Sequence, residues 1–252
     1  MPQTKMQTSQ AFNINSAKPR LHPKGIMEFL WWSFGLLLFA HLISTYLLVE
    51  HGIYIKRFDF NHERNFPTFF ATFQLAFAGI LLWHSFKAAT SKSFSVTWKL
   101  LSFVFLFLAF DEFFQIHDQL GARVSDVKIQ TSSWVAPYMA GLAGLSVIGV
   151  PWFFNLPLKT RWAFFISGTI FVTGAAGVEI VGDILKTNFG FQHLYYRLAI
   201  TVEESCEFIG LTLFIKALLD YYFSQKDELS LPWVDVDCRP PIETSKPGEA
   251  PL

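Results

Sequence analysis

The chain has 252 residues and a formal net charge of zero, with 52% hydrophobic and 16% charged residues and 29 phenylalanines. Soluble domains carry about 25% charged residues, and here the apolar residues are gathered in long blocks bounded by Lys, Arg and Pro, so a soluble enzyme is excluded. The balanced charge offers no basic face for nucleic acid, and two cysteines, Cys206 and Cys238, make neither a disulfide framework nor a Cys-rich metal site.

The first 26 residues are polar and carry no short apolar core before a small-residue cleavage site, so they read as a cytoplasmic amino-terminal segment and not a signal peptide. Six blocks then reach the roughly 20 helical residues that a bilayer crossing requires. They lie near 28–49, 67–87, 96–117, 133–154, 162–185 and 198–222, which predicts an all-α integral membrane bundle of about six transmembrane helices within 27–223. Residues 224–252, rich in Pro, read as a flexible cytoplasmic tail.

Lys and Arg outside the spans number twelve on the side of both termini and seven on the other. Both termini are therefore expected in the cytoplasm. Trp31, Trp32, Trp83, Trp98, Trp134, Trp152 and Trp162 lie near span ends, as an interfacial belt requires. Ala140, Gly141 and Gly144 in the fourth span, and Gly168, Gly174, Ala175, Ala176 and Gly177 in the fifth, are expected to allow close helix contact. The Phe-rich stretch from Phe103 to Phe110 reads as lipid-facing or packing surface.

The acids carry the functional signal. With alternating topology, the ends of the third and fifth spans meet the start of the sixth. Asp111, Glu112, Glu179 and Glu203 then share a depth about 10 Å below the outer surface at 1.5 Å per helical residue. With Asp118, Asp183, Glu204 and Glu207, eight of the twenty acidic residues fall in this layer. Helical phase aligns Asp111, Gln115 and Asp118 on one stripe, Glu179 and Asp183 on a second, and Glu203 and Glu207 on a third. His117 leaves this phase unless the helix distorts near Gly121.

Carboxylates crowded in a low-dielectric layer need protons or a cation to balance them. The expected metal ligands are Asp111, Glu112, His117, Asp118, Glu179, Asp183, Glu203, Glu204 and Glu207, with Gln115, His41 and Gln74 as supporting partners. A divalent or trivalent metal fits this donor set, iron or manganese ahead of zinc, as in di-metal sites built from bundle carboxylates and His, although the usual Glu-x-x-His pair is missing. His84, His51, His62 and Glu63 read as packing or solvated residues, and Tyr195 and Tyr196 as interfacial anchors.

Asp111-Glu112 before His117-Asp118, then Glu179, then Glu203-Glu204-x-x-Glu207 with Gly210, resembles a group of poorly characterised bacterial multi-pass membrane proteins. Their helices carry a DE-x4-HE-like motif followed by EE-x2-E. The resemblance covers about residues 108–211 and implies a shared acidic site without implying a reaction. Asp118 stands where Glu is expected, a shorter ligand that demands closer approach.

The first functional expectation is a metal-dependent membrane enzyme acting on an apolar substrate, as a di-iron-like oxidoreductase or a hydrolase. The alternatives are a proton or divalent-cation transporter or channel, and a non-catalytic assembly subunit. Membrane lipids are the expected surroundings, and no motif names a protein partner.

Overall fold

A computed structural model describes residues 19–89, 92–116, 119, 135–231 and 234–239. Among these the protein is an all-α bundle of six long helices: α1 (Pro23–His51), α2 (Phe66–Ala88), α3 (Lys92–Phe114), α4 (Val135–Phe154), α5 (Leu158–Phe189) and α6 (Leu194–Phe223). By length and composition α1, α2, α4 and α5 are apolar enough to cross a membrane. The third and sixth expected spans, α3 and α6, form full-length helices but do not join that set among the described residues.

Local signals set the ends. Asn65 caps α2 by accepting the Thr68 N–H at 3.1 Å, with Pro67 in the first turn where a missing N–H costs nothing. His22 and His193 cap α1 and α6 in the same way. Helix α1 stops at Gly52, whose left-handed backbone (φ 67°) lets its N–H and that of Ile53 return to Leu48 and Leu47.

The long antiparallel pair α2–α3 and the pair α5–α6 form the bulk of the bundle, with α6 also packed on α1 and α2. Both seams depend on bare glycine backbone. A Cβ on Gly79 would sit 2.8 Å from the Leu106 side chain, and one on Gly210 would sit 2.7 Å from the Phe171 nitrogen. At Gly174 it would meet the Glu203 carbonyl oxygen at 2.7 Å. Gly174 also begins the irregular part of α5: Thr173–Val178 is a π-helical turn, closed by the Glu179 N–H reaching the Gly174 carbonyl. Such turns insert a residue and shift helical phase.

The fourth span departs from expectation. Among the described residues nothing lies within 4 Å of a Cβ built on Gly141 or Gly144, so these small residues make no close helix contact there. Helix α4 is held at its ends, by Val135 and by Trp152.

Trp98 and Trp152 are likewise not interfacial. They are buried edge to face at 4.8 Å, with Tyr221 stacked on Trp98 at 5.0 Å, and they close the core at the end of the bundle opposite the acids. Trp32 and Trp162 are exposed as expected, and Trp134 lies outside the described residues.

The described part of the tail, 224–231 and 234–239, contains short strands. Glu228–Ser230 (β2) and Asp235–Asp237 (β3) pair antiparallel, and β3 pairs parallel with Arg20–Leu21 (β1), in the order β1-β3-β2. Leu229, Leu231, Val234 and Val236 are buried in the main core, which the polar composition of the tail concealed. On its outer side the Arg239 guanidinium bonds Asp237 and Glu228 and holds the Asp237 carboxyl down at about 2.

Gly210→Leu forces apart the α5 and α6 backbones and is expected to cost about 3 kcal/mol or more, as overpacking does. Gly141→Leu, with open space around it, is expected to change stability by no more than about 0.5 kcal/mol. Thermal unfolding of both variants in detergent checks the contrast.

Candidate functional site at the acid-bearing end

The loop between α1 and α2 is fixed by polar groups that point inward. Asp59 and Arg197 are both fully buried and form an ion pair through Asp59 Oδ1 and Arg197 Nη2. His41, fully buried on α1, stacks on Phe60 at 4.0 Å and accepts the Phe60 N–H at Nδ1. Because Nδ1 accepts, Nε2 carries the proton of the neutral ring and donates to Thr201 Oγ1 at 3.0 Å. The Thr201 hydroxyl in turn donates a hydrogen bond to the Arg197 carbonyl at 2.7 Å.

Asn65 Nδ2 donates to the carbonyls of Lys56 and Asp59, and the Tyr196 hydroxyl donates to Asn61. His41 was expected to support the acids; its nearest carboxylate is instead Asp59, at 3.8 Å. Tyr196, expected as an interfacial anchor, is buried.

Held this way, the loop presents Glu63 to the bundle. Glu204 of α6 lies within electrostatic range of Glu207, Glu112 of α3, Glu63 and Glu179 of α5. Glu203, only 8% exposed, is hydrogen-bonded to Glu179 and near Glu204 and Glu207. Four separate elements thus bring carboxylates to one end, with the π-turn placing Glu179 at the start of the last regular stretch of α5. Asp183, one turn further on, joins Glu179 and Glu203 around Tyr196.

The other expected residues divide. Asp111 is buried and accepts the Tyr138 hydroxyl of α4 at 2.7 Å. Gln74 joins α2 to α6, donating to Thr212 Oγ1 at 2.7 Å and to the Phe208 carbonyl. Gln115 does not continue the Asp111 stripe: α3 ends at Phe114 and Gln115 turns left-handed (φ 59°). It instead lines an open depression of about 470 Å³ with Asn61, His62, Glu63 and Arg64. Arg64 is also left-handed (φ 56°), so two side-chain-bearing residues in a conformation that favours glycine face one hollow. His117 and Asp118 lie outside the described residues.

Among the described residues no three His, Cys, Asp or Glu side chains form a group able to hold a metal ion. The carboxylates are neighbours in charge without converging on one point.

Residues 30–221 match the family described as a domain of unknown function, DUF8692. The chain belongs to this family. The DUF8692 match runs from the first third of α1 to the last turn of α6, so it takes in all the acids above and leaves out β1, β2 and β3. Neither curated proteins nor solved structures contain a match to this DUF8692 chain.

Asp59, Glu63 and Tyr138 were missed or discounted from sequence. The loop has no periodicity to reveal an inward side chain; the only cue is that Gly52 and the Asn65-x-Pro67 start signal hold it close to two helix ends.

Tyr54, in the same loop, has its phenol pushed up to about 12 by burial and then by the Asp59 carboxylate. Since this exceeds the ordinary value of 10.0, its stabilising contribution is complete below pH 10 and is lost as pH rises through about 12. Asp59→Asn is expected to bring Tyr54 back toward its ordinary value, read as tyrosinate absorbance against a Tyr54→Phe control. The same change leaves Arg197 buried without its counter-ion, for an expected loss of about 3–5 kcal/mol in thermal unfolding.

Proposed function

We propose that this DUF8692 protein is a six-span membrane protein, with both termini in the cytoplasm of a bacterial cell, whose function resides in the carboxylates near the outer face. They form a cation-binding centre serving a metal-dependent enzyme that acts on an apolar substrate. The observation that carries the proposal is the crowding around Glu204 of Glu63, Glu112, Glu179 and Glu207. Arg197, buried at the same end, is paired with Asp59. Carboxylates crowded in an apolar bundle favour the uptake of protons or a cation.

The donor chemistry fits a metal that prefers oxygen: iron or manganese first, zinc second. The spacing of the described residues does not by itself fit a finished ligand set.

A centre open to one side is favoured over a transport path. Below the acids the core is filled by Phe208, Leu211, Ile215 and Leu218, and then by Trp98, Trp152 and Phe164. These side chains offer no continuous set of groups to pass a proton or ion.

Elemental mass spectrometry of the detergent-purified protein is expected to find one or two metal ions per chain after incubation with iron, manganese or zinc. Most are expected to be lost in a Glu112→Ala, Glu204→Ala variant that keeps its helical circular dichroism. A wild type that stays empty with all three metals overturns the metal reading. Cation or proton flux in proteoliposomes above that of a Glu204→Gln control replaces it with transport.

A further inference from the structure

At the end of the bundle away from the acids, the α2–α3 pair carries two exposed lysines on one aromatic platform. Lys87 Nζ lies 5.8 Å over the Trp83 ring, and Lys99 Nζ lies 5.9 Å from the rings of both Phe86 and Phe103. The platform is continuous: Trp83 touches Phe86 at 5.0 Å and Phe103 at 6.0 Å between ring centroids. Among the described residues no carboxylate pairs with either lysine, in contrast to Lys216, which is bonded to Asp220 at 2.6 Å. The rings hold the ammonium groups at one place through cation–π attraction and leave their outward N–H donors free for an anion.

The same face continues as an apolar strip. Val96, Phe103, Phe107 and Phe110 follow one another at spacings of seven, four and three along α3, so they share the face that carries Lys99, and each is more than half exposed. Positive charge thus stands near one end of an apolar strip that runs from Val96 to Phe110 along α3. A free inorganic anion would use the lysines and leave the strip unexplained. A molecule with a negative head and long apolar chains uses both.

We infer that Lys87, Lys99 and the Trp83–Phe86–Phe103 platform form a binding site for the phosphate headgroup of an acidic phospholipid, whose acyl chains lie along the exposed face of α3. The inference takes α3 as a membrane span, as the proposed function does, and it is independent of any metal at the opposite end. Basic residues at a membrane surface attract acidic lipids. Two of them acting on one headgroup give a preference on the order of tenfold over a zwitterionic lipid of the same chains.

The test reconstitutes the full chain into vesicles of equal phosphatidylglycerol and phosphatidylcholine, extracts it in mild detergent and counts retained lipids by native mass spectrometry. Wild type is expected to retain phosphatidylglycerol preferentially. Lys87→Gln, Lys99→Gln is expected to lose that preference with unchanged thermal unfolding, while Lys226→Gln, at the same end, keeps it. Equal retention of the two lipids by wild type, or an unchanged preference in the double variant, overturns the site. Loss of bound phosphatidylglycerol on adding inorganic phosphate alone overturns the lipid assignment in favour of a free-phosphate site. A chain that binds no metal but still selects phosphatidylglycerol refutes the proposed centre and leaves this site standing.

Discussion

The acid-bearing end depends on one buried ion pair. Asp59 comes from a loop and Arg197 from the second turn of α6, and neither has any exposed surface. Burying two charges is costly, and their attraction repays the cost only when further hydrogen bonds orient them. His41, Thr201, Asn65 and Tyr196 fix the backbone around the pair and bind the loop to α1, α2 and α6. Remove the pair and the loop loses the anchor that presents Glu63 to the helix carboxylates. The chain therefore uses one buried charge pair to hold the loop that carries Glu63 beside the helix carboxylates.

The two halves of the bundle have opposite chemistry. Toward the acids, side chains with oxygen donors enter from α3, α5, α6 and the loop. Toward the terminal strands, Trp98, Trp152, Phe164 and Tyr221 interlock as rings. Glycine at Gly79, Gly174 and Gly210 lets helix backbones come close enough for this division to persist along their length, because a wider seam would admit polar groups or lipid between them.

Much of the fold was legible because its cause is local or periodic. Apolar run length gave six helices to within a few residues, and Asn65 with Pro67 marked a start that the structure keeps. The recurrence of acids at helix ends singles out Glu112, Glu179 and Glu207 by sequence, and these lie within electrostatic range of Glu204. What stayed hidden depends on the third dimension. Trp98 and Trp152 have the sequence position of interfacial residues and are core only because α4 leans its end onto α3 and α5. Glu63 was taken for a solvated residue because no pattern in a loop distinguishes in from out. The left-handed turn at Gln115 broke a stripe drawn on an ideal helix, and the π-turn in α5 left no mark in composition beyond its glycines.

The small sheet at the other end has a temporal meaning. Strand β1 is synthesised before any helix, whereas its partner β3 follows the last one. Their pairing must wait until every intervening segment has left the ribosome and settled beside its neighbours. The sheet is then a clasp that only a fully assembled bundle can fasten, burying Leu229 and Val236 as it closes. A chain stalled or misthreaded during insertion would leave those leucine and valine side chains uncovered, a signal by which quality-control proteases can distinguish it from the finished protein.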